Sequence, residues 1–253
     1  MNSNHFKHLL RSIWAICLKD IKLYYAKGPI VVTGVIFPFF LWVAFYIGRS
    51  LEIKESLASL LTLALFFTSS SVTPIIAPWE TRQRTLEMLL SRPITITIML
   101  IGDILASIIF GLIFTLPPIF YGIALGAIPS NFLLMIITIL LIALIFSSLG
   151  IIFSALPTDT PADVVLLSST IKLPLIFISG VLISLNQLPT WSLILAMLSP
   201  LTYSTDLLRI FYIGKGFFPL YIDLIATFIF AIIFTILAFK LHKKTIFIRL
   251  QRR

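Results

Sequence analysis

Residues 57–93 read LASLLTLALFFTSSSVTPIIAPWETRQRTLEMLLSRP, and the change of composition at Trp79–Glu80 decides the fold. The 23 residues before that junction contain no Asp, Glu, Lys or Arg. At 1.5 Å per helical residue such a run crosses a hydrocarbon core about 30 Å thick. Its second half, TSSSVTPIIAPW, predicts a kinked helix facing protein, because neighbours or hydroxyls must satisfy the carbonyls that Pro74 and Pro78 free. Residues 80–93 then bring Arg82, Arg84 and Arg92, and the positive-inside bias puts this loop in the cytoplasm.

The rest of the chain repeats the apolar half of that pattern. Its 253 residues are 59% hydrophobic and 11% charged, with mean hydropathy +1.08, whereas soluble domains carry about 25% charged residues. A soluble enzyme and a large soluble domain are both excluded. Six spans are expected, at 29–48, 57–79, 96–126, 132–155, 166–185 and 220–239. Pro117–Pro118 should break or bend the third near its end. Residues 186–218, interrupted by Pro189, Pro200, Gly214 and Gly216, hold two short apolar stretches that read as outer re-entrant helices. Residues 5–26 place apolar side chains at three- and four-residue intervals. They read as an amphipathic interface helix on the membrane, with Trp14, Tyr24 and Tyr25 at headgroup level. The fold class is an all-α integral membrane protein, one transmembrane domain (1–253) without internal repeats.

Charge sets orientation. The 19 Lys and Arg against 10 Asp and Glu give +9, read here as topology rather than nucleic-acid binding. Lys7, Arg11, Lys19, Lys22 and Lys27 precede the first apolar run; Lys240, Lys243, Lys244, Arg249, Arg252 and Arg253 follow the last. Both termini are therefore expected in the cytoplasm of a multi-pass plasma-membrane protein. The turn at 157–163, PTDTPAD, has no basic residue, so its side follows only from counting spans. The first apolar run lacks a small-residue cleavage site and reads as a retained anchor. The lone Cys17 excludes an intrachain disulfide.

Catalytic patterns find little support. His5, His8 and His242 lie in the terminal segments, and no H-E-x-x-H, G-x-S-x-G or Walker A pattern occurs. Ser168 and Lys172 share a helix face as a serine–lysine pair, but Lys172 more simply snorkels to the interface. No cofactor or metal is expected on this chain. Within 80–93, Leu86, Leu89 and Leu90 recur at helical spacing among alternating charges, as in a short surface helix that docks to another protein; its plainer reading is an ordinary charged loop.

Two segments carry a family resemblance: ETRQRTLEMLLSRP at 80–93, similar to an "E…TLE.LL..P" pattern, and NQLPTW…SPLTYSTDLLR at 186–209, similar to "LP.W…PLTY..D.LR". With their order and the six-span frame, the chain resembles the membrane subunit of type 2 ATP-binding-cassette transporters, a permease family that includes drug and polysaccharide exporters. The resemblance implies a homo- or heterodimer of such subunits, two cytoplasmic ATPase subunits, and ATP and Mg held by those partners. It also implies that Arg82, Arg84, Thr85, Leu86, Glu87 and Leu90 form a coupling helix, with Lys19, Asp20 and Lys22 of the interface helix as further ATPase contacts. In the re-entrant segment Asp206 and Arg209 are expected to pair. One departure is Gly102–Asp103, where the family often has a Lys after the glycine. Asp103 is either a substrate or proton group, or a structural or vestibule residue about 12 Å along the helix from Thr95.

The expected substrate path draws on Phe37, Phe40, Phe67, Ser69, Ser71, Asp103, Phe177 and Ser179. An apolar lining with hydroxyls favours export of a hydrophobic, amphipathic or lipid-linked cargo. Three rivals stay open: an ion-coupled secondary transporter, a membrane-embedded lipid-modifying enzyme, and an assembly or immunity factor built on the permease fold.

Overall fold

The computed structural model describes residues 3–25, 27, 32–47, 52–92 and 94–251. The described residues are almost entirely helical and contain no strand. The helices are α1 (Ser3–Asp20), α2 (Phe37–Tyr46), α3 (Ile53–Ser71), α4 (Thr73–Arg82), α5 (Thr85–Leu90), α6 (Ile96–Ala124), α7 (Phe132–Ser154), α8 (Pro161–Ile178), α9 (Thr190–Met197), α10 (Pro200–Ile213) and α11 (Leu220–Gln251). A π-helical turn, Ile21–Tyr25, follows α1, and another, Val32–Ile36, precedes α2.

Five stretches are long and apolar enough to cross a membrane: Ile53–Arg82 (α3 with α4), α6, α7, α8 and the first 27 residues of α11. The pair α9 and α10 is bent by 94° and would make a sixth. The first expected span is described only as a shorter apolar helix, Gly34–Tyr46; its limits at Pro29 and Gly48, like the stop at Pro93, lie outside the described residues.

The second span breaks at Val72, two residues before Pro74, and almost every side chain of α3 is buried. It is the central helix of the bundle. Phe66 meets Phe146 of α7 edge-on at 4.9 Å, within a core shared by α3, α7 and α10. The third span has no break: α6 runs as one helix through Pro117 and Pro118 to Ala124. Both prolines sit near its C-terminal end, and each removes the N–H that a carbonyl one turn back, that of Ile113 or Phe114, would accept in a regular helix. The fifth span also ends early, because Gly180 adopts φ +80° and turns the chain after Ile178. At the other extreme α11 continues far past Phe239, so the basic tail up to Gln251 is helix. The faces of α8 and α11 are largely exposed apolar surface, including Leu166, Phe177, Ile225 and Phe228, as a lipid or subunit contact requires.

Candidate functional site

The end of the bundle that carries the 82–96 connection gathers a cluster of charged groups, Lys19, Asp20, Glu80 and Asp103. Gly102 of α6 starts the assembly. A β-carbon there would lie 2.6 Å from Ile16 Cγ2 and 3.2 Å from the Ile13 carbonyl oxygen, so only glycine lets α1 lie directly on α6. That approach buries Ile16, Cys17 and Asp20 of α1. The opposite stripe, Phe6, Leu10, Trp14 and Leu18, stays exposed. Tyr24 and Tyr25 are corrections to the sequence reading. Both are buried, and the Tyr25 ring packs on Phe110 at 4.8 Å instead of meeting headgroups.

Close contact between α1 and α6 brings four charges together. Lys19 donates to Glu80 at the end of α4 and lies 2.9 Å from Asp20 Oδ1. Asp103, beside Gly102, interacts with Asp20, Lys19 and Glu80. Asp20, Glu80 and Asp103 are each less than 5% exposed. Lys19 thus pairs directly with two carboxylates, Asp20 of α1 and Glu80 of α4, and Asp103 of α6 completes a charged knot beside them in which several carboxylate oxygens lack a hydrogen bond. Burial opposes the Lys19 charge, but Glu80 and then Asp20 and Asp103 outweigh it, and its pKa rises above the ordinary lysine value. The Cys17 thiol is pushed up to about 11 by burial and by Asp20 and Asp103. Of the residues expected on the interface helix, Lys19 and Asp20 face inward into this knot, while Lys22 is exposed.

Beyond Glu80 the chain reverses at Arg84, the one described non-glycine residue with positive φ (59°), and starts the short helix α5. Leu86 is 1% exposed and Leu90 half-buried; both pack on the cluster of Ile16, Ile98 and Met99. The apolar edge read from the sequence therefore anchors α5 to its own chain. Its outward face is Arg82, Arg84, Glu87, Met88 and Arg92, with Met88 67% exposed. Thr85 is half-buried, and its hydroxyl donates to the Glu80 carbonyl. Met88 was missed because the leucine periodicity drew attention to the other face.

A second residue that sequence reasoning missed is Arg249. Counted there as tail charge, it is 5% exposed and donates to the carbonyls of Ser154 and Leu156 and to Thr81 Oγ1. Desolvation lowers its pKa to about 10. A basic group of α11 thus clamps the end of α7, just before the 157–163 turn, to the end of α4. Only a separation of 168 residues hid the pairing with Thr81.

The remaining expected residues do not form one group. Phe37 and Phe67 meet edge-on at 5.2 Å, with Phe40 exposed on the same helix as Phe37. Phe177 meets Phe45 at 6.3 Å. Ser71 and Ser179 spend their hydroxyls on the carbonyls of Phe67 and Ile176. Ser69 is buried, and a β-carbon at Gly111 would come within 2.3 Å of its hydroxyl oxygen. Asp103 belongs to the charged knot, not to these residues.

Two expectations are corrected, the Asp206–Arg209 pair and the snorkelling of Lys172. Asp206 accepts the backbone N–H groups of Phe217 and Phe218 at 2.9 and 2.8 Å, while Arg209 donates to the Gly180 carbonyl at 2.7 Å, so each is spent on a turn and not on the other. Lys172 does not snorkel: it is 5% exposed and donates to the Ser70 carbonyl, while Ser168 donates to the Val165 carbonyl. In a regular helix the Ser70 carbonyl would accept the N–H of residue 74, which proline lacks. Lys172 fills that vacancy from α8. Among the described residues no cluster of His, Cys, Asp and Glu could hold a metal ion.

Compared with known families, residues 11–213 match the family described as ABC-2 type transporter. No curated protein matches the chain.

Proposed function

The chain belongs to the ABC-2 type transporter family, and from that premise we propose that it is the permease half of an ATP-driven exporter whose motor docks on α5. The family is that of ABC transporter permeases, multi-pass membrane proteins that work with an ABC ATPase. In this reading both termini and α5 face the cytoplasm of the plasma membrane, a second permease copy or homologue completes the pore, and ATP and Mg stay on the partner ATPase. The cargo is hydrophobic, amphipathic or lipid-linked, since the long spans offer apolar surface and few charges.

One observation carries the proposal. The outward face of α5 is charged and bears an exposed Met88, while Leu86 roots the helix in the bundle and the Lys19–Glu80 contact ties its base to α1. A push on that face is transmitted to α4 and then across the Val72 break to the buried α3, because packed interiors move as bodies. The test is affinity purification of tagged protein in mild detergent, with identification of co-purifying chains and an ATPase assay. Wild type should retain an ATPase, and Glu87→Arg or Met88→Asp should lose it with the permease still folded. Equal retention by all three proteins would refute docking on α5.

A further inference from the structure

Between the Val32–Ile36 turn, α2, α3 and α6 lies a cavity of about 650 Å³ among the described residues. That is the size of a pocket that buries an extended organic ligand. Its walls include Phe39, Phe40, Ala64, Phe114, Pro118 and Tyr121. Two further lining residues carry polar atoms already in use: Thr68 donates to the Ala64 carbonyl of its own helix, and the Trp42 indole N–H donates to the Ser56 carbonyl at 2.7 Å. Water in a cavity needs two to four polar partners, and these walls offer almost none. A void of this size left unfilled would forfeit the dispersion contacts of every lining atom.

Depth narrows the occupant further. On α6 the cavity begins at Phe114, 11 residues beyond Asp103 and so about 16 Å further from the charged knot. It ends at Tyr121, one turn before the helix terminus at Ala124. The cavity thus lies in the half of the bilayer remote from α5. Tyr121 is 51% exposed at its far end, the level where amphipathic rings meet lipid headgroups, and Phe40 is 63% exposed beside it. We infer that this cavity holds an acyl chain of a bilayer phospholipid, its headgroup beside Tyr121. The inference needs only that the chain sits in a membrane, and it stands apart from the docking of an ATPase on α5.

The test uses full-length protein in nanodiscs containing phosphatidylethanolamine with a photoactivatable diazirine in one acyl chain. Peptides spanning 34–42 and 114–121 should be labelled at least fivefold more per residue than the exposed face of α11 around Phe228 and Ile232. Ala64→Trp, which fills the cavity, should abolish that excess, while Ile229→Trp on the α11 face should leave it intact. The wild-type distribution decides the matter even if Ala64→Trp fails to fold. Labelling equal to that of α11 would reduce the site to ordinary annular lipid and overturn the inference. So would efficient disulfide formation between copies of Phe40→Cys in a Cys17→Ser background, which would give this face to a second copy.

Discussion

Replacing Lys19 with Met is the most direct probe of the charged knot. The substitution keeps the length of the side chain but leaves Asp20, Glu80 and Asp103 buried without a cation. Breaking a buried ion pair by removing one partner costs about 3–5 kcal/mol. Lys19 retains 21% exposure against 0% for Asp20 and 2% for the Glu80 side chain, so the low end, about 3 kcal/mol, applies. That is roughly a hundredfold in the folded-to-unfolded ratio. The assay is reversible unfolding in mixed micelles with rising denaturing detergent, followed by tryptophan fluorescence. Lys7→Met, an exposed position on α1, serves as the control. The double variant Lys19→Met/Glu80→Gln should regain about half of the loss, because the carboxylate facing the missing cation is then neutral. The pH dependence has a definite sign. Lys19 has its pKa raised in the folded state, so its contribution is full below the ordinary value of 10.5 and disappears only as pH climbs past the higher folded value. Between pH 6 and 9 the gap between wild type and Lys19→Met should not narrow on account of Lys19. A Lys19→Met loss within about 0.5 kcal/mol of the Lys7→Met control, or strict additivity in the double variant, would refute the reasoning.

Further expectations concern the contacts around this knot and the second-span kink. Gly102→Val should destabilise by about 1–3 kcal/mol through overpacking against Ile16 and raise proteolysis of α1, and Ile16→Ala should relieve much of it; an unchanged cleavage pattern would count against the close approach of α1 and α6. Lys172→Met should cost about 1–3 kcal/mol by orphaning the Ser70 carbonyl, and Pro74→Ala in that background should restore a helical donor and part of the loss; no recovery would show that Lys172 acts otherwise. Cys17, fully buried with its thiol pKa pushed from 9.0 to about 11, should resist maleimide at pH 8 in folded protein and react after denaturation. Because that pKa is raised, the stability it represents is complete below pH 9.0 and lost as pH rises through 11; rapid native labelling would contradict the burial of α1.

The amino-acid sequence by itself determined the solvent, the helical class and the position of the charged loop. Each depends on composition summed over about 20 consecutive residues, and hydrocarbon imposes that constraint locally. The break near Pro74 and the short helix before Pro93 were legible for the same reason, since proline acts on its own turn. Pairing was not legible. Lys19 meets Glu80 across 61 residues, Lys172 reaches Ser70 across 102, and Arg249 meets Thr81 across 168. Helix packing sets these meetings, and helical spacing carries no record of them. Spacing also misled where it was used alone. Asp206 and Arg209 stand three apart on one helix, yet each turns to a loop that tertiary structure brings beside it. Leu86 looked like a docking residue until the bundle supplied a core for it. The sequence thus dictated a multi-pass, all-helical chain with five or six apolar helices. Only the packed bundle decided which polar groups meet inside it, because a buried charge is stabilised by whatever partner the fold delivers.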